Sequence, residues 1–504
     1  MRVCLVIEGS YPFITGGVSS WVHELIGGLP GIEFALYTFS PAAKQELRYK
    51  LPPNVVEHVD VVLTEAAAPK SAERPARRRG EAVRAALAAH LRMFAGSEPE
   101  LLDFIGSIPE GHSLRRDSVL DKRAWVFIGA QNRRRNPLYP FSDYFWAWKG
   151  AHDLLFNVLS ARAPEADLYH SVSTGFAGLA ALAAKVRRGK PFLLTEHGLY
   201  HKEREIEIRK ASFVKGYQRD LWTRIYDRIA SLCYRNADLC TSLFAENRGY
   251  QLALGASPER AVVIPNGIDV KRFSVARRAP DGLFHVGFVG RVVPIKDVRT
   301  FLLAAKLLVE GEAGEAGAGP AAGPAGAPAR EARFHIIGPD DEDPGYAAEC
   351  RRLVADLKLE ERIEFTGRKN VLEYYAFLDL VVLTSVREAQ PLVILEAYAA
   401  GIPAVSTDVG NVSELLEGDR RFIAPVKDAE GIAAAMAYVR DHPGEMAELA
   451  ARNRARTLAT YEKGELLARY GELYERFASP DSASPNAPHD APRGEAPGPA
   501  EGGS

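Results

Sequence analysis

Short apolar runs separated by stretches of helical periodicity recur along almost the whole chain, and this alternation limits what it can fold into. Strands buried on both faces read as continuous apolar runs, and parallel neighbours need helical crossovers, so the pattern predicts βαβ units and parallel sheets covered on both sides. In the first half the runs fall at 3–7, 33–38, 55–62, 168–170, 192–195, 239–242 and 262–264. A second series begins at 285–289 and continues at 333–337, 363–365, 380–384, 404–406 and 422–423. Two series imply an α/β protein of two Rossmann-like parallel-sheet domains. The expected division is 1–275 and 283–460, with a boundary in KRFSVARRAPDGL at 271–283. Ligands of open α/β sheets bind beyond the carboxyl ends of the strands, so the cleft between the domains is the expected site.

Three stretches depart from the scheme. Residues 64–150 form a long, partly basic insertion with arginines at 77–79 and 133–135, which reads first as a solvated face and second as contact with an anionic partner or a membrane surface. The segments 310–331 and 479–504 are too poor in large apolar side chains to bury a core, and are expected as a surface loop and a disordered tail. The periodic stretch 461–478 is expected as a helix able to pack back across the domains. The segment 209–235 mixes aromatic and basic residues; a helix packed on its own domain is the first reading, an acceptor groove or membrane-partner face the second.

Composition narrows the function. Hydrophobic residues at 47% and charged residues at 25% exclude wholesale disorder, and 63 basic against 65 acidic residues give no electrostatic case for a nucleic-acid binder. Cys4, Cys233, Cys240 and Cys350 have no metal-binding spacing and read as core thiols. No apolar stretch is long enough for a spanning helix, and the first residues read as a buried strand, so a cytoplasmic protein is expected.

Four motifs carry chemistry. Gly16 and Gly17 lie ahead of a helix whose unpaired N–H groups and positive dipole end could face a phosphate. Arg291 and Lys296 straddle a strand-to-helix turn, where two fixed charges suit a diphosphate. In SVREAQPLVILEAYAAGIP, Glu388 precedes a helix and Glu396 lies inside it, so both carboxylates are expected to reach one cleft, one at sugar hydroxyls and the other at a ribose. His197 follows a buried strand in TEHGLY. The Asp341-Glu342-Asp343 run has the form of a metal-binding triad, but it also opens a helix, where acids are favoured anyway.

In this order, Gly16-Gly17, His197, PNGID at 265–269, GR-x4-K ending at Lys296 and E-x7-E from Glu388 resemble the family 4 retaining glycosyltransferases of the GT-B fold. The stretches EGSYPFITGGVSSWVHELI, TEHGLYHKERE and IIGPDDEDPGYAAEC are more narrowly similar to the PelF-like glycosyltransferases of Pel exopolysaccharide synthesis. The resemblance spans about residues 2–475. It implies that Arg291 and Lys296 bind the donor diphosphate with Gly16 and Gly17, that Glu388 holds the transferred sugar and Glu396 the ribose, and that His197 lies on the acceptor side. Arg368, Asn370 and Val371 would meet the base, with Leu392 and Val393 completing the donor site. The implied donor is a UDP-sugar and the implied acceptor a polysaccharide, with no cofactor or metal, and with an inner-membrane synthesis or export complex as a partner. A UDP-sugar 2-epimerase and a catalytically silent nucleotide-sugar-binding scaffold are the alternatives.

Overall fold

The computed structural model describes residues 1–43, 46–64, 98–108, 110, 122–135, 140–212, 214, 216–317 and 330–479. Its strands are β1 (Arg2–Glu8), β2 (Glu33–Ser40), β3 (Val55–Val62), β4 (Leu168–Ser171), β5 (Phe192–Glu196), β6 (Leu239–Ser242), β7 (Ala261–Val263), β8 (Phe284–Val289), β9 (Ala332–Ile337), β10 (Ile363–Gly367), β11 (Leu380–Leu383), β12 (Ala404–Thr407) and β13 (Ile423–Ala424). The first seven form one sheet in the order β3-β2-β1-β4-β5-β6-β7 and the last six another in the order β10-β9-β8-β11-β12-β13. Every strand pairing is parallel, as the continuous apolar runs require. Each apolar run of the sequence contributes one strand, and the architecture is the GT-B arrangement of two Rossmann-like sheets.

Strand order matters for the site. In each sheet the chain first builds outward from β1 or β8 and then returns to that strand's other side, as β4 pairs with β1 and β11 with β8. The carboxyl ends of β1, β4 and β5 therefore meet at one crevice, and those of β8 and β11 at another.

The two faces of the first sheet bury separate cores. One contains Cys4, Val6 and Tyr169 with the helix Gly175–Arg188 and the later part of the helix Phe141–Ser160. The other contains Val3, Leu5, Phe34 and Leu168 with the helix Gly17–Gly28 and, from the far end of the chain, Leu466, Leu467, Tyr470 and Tyr474 of the helix Lys463–Ala478. That last helix is thus part of the first domain's core. It is fixed by polar contacts as well: His170 Nδ1 lies 2.6 Å from the Tyr474 hydroxyl and His170 Nε2 2.8 Å from Thr195 Oγ1. The second domain has one continuous core around Val286, Phe288, Phe301, Val381 and Leu395.

The chain crosses between domains twice, and the crossings touch. Ile268 pairs with Glu462, its N–H donates to the Tyr461 carbonyl at 2.9 Å, and the Lys463 N–H donates to the Ile268 carbonyl at 2.9 Å.

Within 64–150 the described helices are Glu98–Ser107, Lys122–Arg135 and the start of Phe141–Ser160. Arg133 and Arg134 are exposed there, whereas residues 77–79 lie outside the described residues. So do 318–329 of the Gly- and Ala-rich stretch and 480–504 of the tail. The aromatic and basic segment near 209–235 breaks into two helices, Tyr200–Lys210 and Gly216–Asn236, and Ile225, Ile229, Leu232 and Cys233 of the second enter the core. All four cysteines are buried free thiols. Among the described residues no helix is long and apolar enough to cross a membrane.

Candidate functional site

A cavity of about 680 Å³ lies between the domains. Glu8, Gly17, Trp21, His197 and Tyr200 line it from the first domain, and Arg291, Lys296, Glu388, Leu392 and Val393 from the second.

On the second-domain side the loops after β8, β9 and β11 converge. Gly338, at φ +150°, packs so tightly on the chain before Arg291 that a Cβ would sit 2.1 Å from the Gly290 carbonyl oxygen. Arg291 then crosses to Glu342, with Nη1 at 2.5 Å from Oε1 and 2.7 Å from Oε2. Lys296 ends a single 3-10 turn, Pro294–Lys296, and its Nζ lies 2.5 Å from Glu388 Oε1, which also accepts from Ser385 Oγ at 2.7 Å. The Glu388 loop is held from behind. Gly410, at φ +55°, lets the Asn411 N–H reach the Ala389 carbonyl at 3.0 Å, and a Cβ at Gly410 would lie 2.1 Å from that same oxygen. Gln390 clamps both backbone polar groups of Asn266 in the crossing segment, accepting from its N–H at 2.8 Å and donating to its carbonyl at 3.0 Å.

On the first-domain side Gly17 opens the helix Gly17–Gly28, with Gly16 at its N-cap and no side-chain cap. A Cβ at either glycine would meet nothing within 4 Å, so packing does not demand glycine there, and the helix end stays open to close approach. His197 is nine-tenths buried, Nε2 has no hydrogen-bond partner, and its ring stands edge-on to Trp21 with centroids 4.5 Å apart. Burial holds its imidazole down at about 4, so it is neutral at physiological pH.

Sequence reasoning missed two carboxylates beside these residues, one half-buried at Glu8 and one fully buried at Glu196. Glu8, at the end of β1, takes the Tyr200 hydroxyl on one oxygen and the Phe176 N–H at 2.7 Å on the other. Glu196, at the end of β5, accepts from the Tyr234 hydroxyl, from Thr174 Oγ1 at 3.2 Å and from Gln251 Nε2 at 3.4 Å. Burial raises both carboxyls above their ordinary range, Glu196 to about 7, with their hydrogen bonds opposing the rise. The one available signal was charge at the ends of apolar runs, at Glu8 and Glu196 alike.

Of the expected site residues, the cavity gathers Gly17, His197, Arg291, Lys296, Glu388, Leu392 and Val393, with Gly16 adjoining. Arg368, Asn370, Val371 and Glu396 do not line it. Asn370 caps the short helix Val371–Tyr375, its side chain accepting from the Leu372 N–H at 3.3 Å, and Arg368 approaches Asp341 at 3.9 Å. Glu396 accepts the Tyr375 hydroxyl at 3.0 Å, and burial raises its carboxyl. The expectation that Glu388 and Glu396 open onto one cavity therefore differs from the structure: the helix Leu392–Ala399 turns Glu396 beneath the loop that carries Glu388. Within the acidic run, Asp343 caps the helix Pro344–Asp356 by accepting from the Tyr346 N–H at 3.0 Å, and Glu342 pairs with Arg291.

Two facing Rossmann-like sheets with paired cations at the carboxyl ends of the second define a GT-B protein, and residues 284–442 match the family described as "Glycosyl transferases group 1". The chain itself belongs to the family described as "Domain of unknown function (DUF3492)", whose model matches residues 1–259, just over half of it. Among similar sequences, the lipopolysaccharide core biosynthesis mannosyltransferase LpsB of Rhizobium meliloti (strain 1021) is 32% identical over 230 residues, 42% of this chain and 60% of that protein. The first three curated relatives are matched over 22%, 60% and 66% of their own lengths. The sucrose-phosphate synthase (tll1590) from Thermosynechococcus elongatus superposes with a TM-score of 0.55 at 17% identity, over 94% of this chain and 98% of that one. Anabaena Alr3699/HepE in complex with UDP gives 0.56 at 15% identity, over 94% and 100%. At such identities the likeness is one of fold.

Proposed function

We propose that the chain transfers a hexose or N-acetylhexosamine from a UDP-sugar to a growing exopolysaccharide of the Pel type, with retention at the anomeric carbon and without a metal. The observation that carries this reading is the position of Arg291, Lys296 and Glu388 across one cavity from the uncapped helix end at Gly17. Cleaving a glycosyl–phosphate bond develops negative charge on the diphosphate and positive charge on the ring. Arg291, Lys296 and the helix N-terminus are preorganised for the first, and such groups stabilise a developing anion most where water is excluded.

Both cations are held by carboxylates, Arg291 by Glu342 and Lys296 by Glu388. A diphosphate would take over these charges, leaving the Glu388 carboxylate to accept hydrogen bonds from hydroxyls of the transferred sugar. The leaving phosphate oxygen would receive the proton of the attacking hydroxyl on the same face, which gives retention. The ribose role of Glu396 requires its carboxylate to exchange the Tyr375 hydroxyl for the ribose diol. The metal-free reading is supported by the uses already found for the acidic run, a helix cap at Asp343 and an ion pair at Glu342. The UDP bound by Anabaena Alr3699/HepE on the same fold supports the choice of nucleotide. A nucleotide-sugar donor fits work in the cytoplasm, beside an inner-membrane synthesis or export complex.

The test is calorimetric titration of the purified chain with UDP, GDP, ADP and UDP-sugars in the presence of EDTA. Selective UDP binding that survives chelation is expected. Binding that requires Mg²⁺, or no nucleotide binding at all, overturns the reading.

A further inference from the structure

Away from the cleft, the helices Lys122–Arg135 and Phe141–Ser160 carry large apolar side chains that the fold leaves uncovered. Val126 and Trp146 are each 65% exposed, Trp125 46% and Phe141 37%. The aromatic ones are neighbours: Trp125 stacks on Phe145 with ring centroids 4.5 Å apart and lies 5.8 Å from Phe141, and Trp146 stands edge-on to Phe145 at 5.4 Å. Scattered exposed apolar residues need no explanation, but a contiguous aromatic patch marks a surface that meets something other than water. The patch is firmly mounted. Ala151, Leu155, Phe156 and Leu159 of the longer helix enter the first-domain core, while Ile128, Tyr144, Phe145 and Trp148 join the two helices in a small cluster of their own.

Charge is the second, independent observation. The helix Lys122–Arg135 has basic residues at 122, 123, 133, 134 and 135 and no acidic one, and the helix Phe141–Ser160 adds Lys149, Asp143 and Asp153. Asp153 is paired with Lys149. Lys122, Val126 and Arg133 fall on one stripe of their helix, and Lys122, Arg133 and Arg134 are all exposed. A Cβ at Gly129 would meet Arg133 Nη1 at 3.7 Å and Phe141 Cε2 at 3.8 Å, so the Arg133 guanidinium lies against the edge of the aromatic patch. Rings that settle at the headgroup level of a bilayer, edged by cations that pair with its phosphates, are the combination by which a protein rests on a lipid surface.

We propose that this face of the two helices is a docking surface for an anionic lipid bilayer, with Trp125, Val126 and Trp146 entering the headgroup region and Lys122, Arg133 and Arg134 pairing with lipid phosphates. Val126 and Trp146 project most of their surface into solvent, a projection that a fluid headgroup layer receives without a matching pocket, and this favours lipid over an acidic protein. Surface attachment of this kind sums buried apolar area and electrostatic attraction, so the rings and the cations contribute together. The proposal is independent of the donor reading, because it concerns lipid binding alone.

The experiment mixes the purified full chain with phosphatidylcholine vesicles made with or without phosphatidylglycerol. Co-sedimentation reads the bound fraction, and quenching of tryptophan fluorescence by a lipid-borne quencher reads insertion. Partition onto the phosphatidylglycerol vesicles should be at least tenfold stronger and should fall as salt is raised. The double variant Val126→Gln with Trp146→Gln should lower it at least fivefold, and Arg133→Gln with Arg134→Gln at least threefold at low salt. All four side chains are exposed, so the urea midpoints of both variants should match the parent. A full chain that does not bind phosphatidylglycerol vesicles overturns the inference, as does binding that both variants retain at parental strength. Sedimentation with protein-bearing bacterial membranes, but not with vesicles of their extracted lipids, would assign the face to a protein partner and overturn it as well.

Discussion

Across the cleft, the second domain presents Arg291 and its partner Glu342 on short surface loops, whereas the first holds Glu196 inside its sheet. Arg291 and Glu342 are each about half exposed, at 50% and 51%, and form an ion pair that water already screens. Glu196, by contrast, is fully buried among Tyr234, Thr174 and Gln251, and its carboxyl is pushed up by burial. A loop cation can change partners when a ligand arrives at little cost. A buried carboxylate cannot, because leaving its donors costs the full desolvation of both sides. One wall is therefore made to exchange ions, and the other to keep its shape.

The largest test of this contrast concerns what each domain depends on. A chain ending at residue 460 loses Leu466, Leu467, Tyr470 and Tyr474 from the first-domain core. At about 1.5–3 kcal/mol for each large apolar side chain, the loss is comparable to the stability of a whole domain. Hydrogen exchange should show the first sheet unprotected and the second sheet still protected; equal protection of both would contradict the division.

Next is Lys296→Ala, expected to lower turnover by about 10²–10³, or ~3–4 kcal/mol, through loss of a preorganised cation. Steady-state kinetics unchanged from the parent would take Lys296 out of the site.

Glu196→Gln probes the buried wall through pH. The folded-state carboxyl is raised from 4.5 to about 7, so the folded chain binds more protons than the unfolded one between those values. Stability arising from Glu196 is therefore greatest at low pH and is lost as pH rises towards 7. Urea midpoints of the variant, relative to the parent, should improve between pH 5 and pH 8 by up to ~3 kcal/mol. A pH-independent difference would mean that this carboxyl does not titrate as its burial requires.

The smallest effect is expected at the exposed pair. Glu342→Gln frees Arg291 and should tighten UDP binding by a few-fold at most, within the ~0–1 kcal/mol of a surface ion pair. Calorimetry showing weaker binding would mean that Glu342 orders Arg291 for the ligand and does not compete with it.

The fold was legible in the sequence because a parallel strand covered on both faces must be apolar along its length, and most of the thirteen runs have that property, the edge strands β3 and β10 being the mixed ones. Arg291, Lys296 and Glu388 were legible for a related reason: each lies a few residues beyond the end of such a run, where ligands of this fold gather. Glu8 and Tyr200 escaped because their contact joins residues 192 positions apart and exists only through the adjacency of β1, β4 and β5. Gln390 escaped likewise, since its two bonds to Asn266 join residues 124 positions apart, from opposite sides of the chain's first crossing between domains. Glu396 falls outside the cavity lining because spacing gives its turn on the helix but not the depth of the loop above it. Whether Glu8 faces solvent or a tyrosine is decided by packing, to which periodicity is blind.

The final helix also sets the timetable of synthesis. The first sheet is complete once residue 263 has left the ribosome, yet one of its faces lacks part of its cover until residues 463–478 join the helix Gly17–Gly28 there. At about 5–20 residues per second, that apolar face waits roughly ten to forty seconds, during which the second domain can fold as a contiguous unit. The nascent chain spends that interval with an open apolar surface, so a chaperone that shields such surfaces during translation should decide the yield of this protein more than its finished stability does.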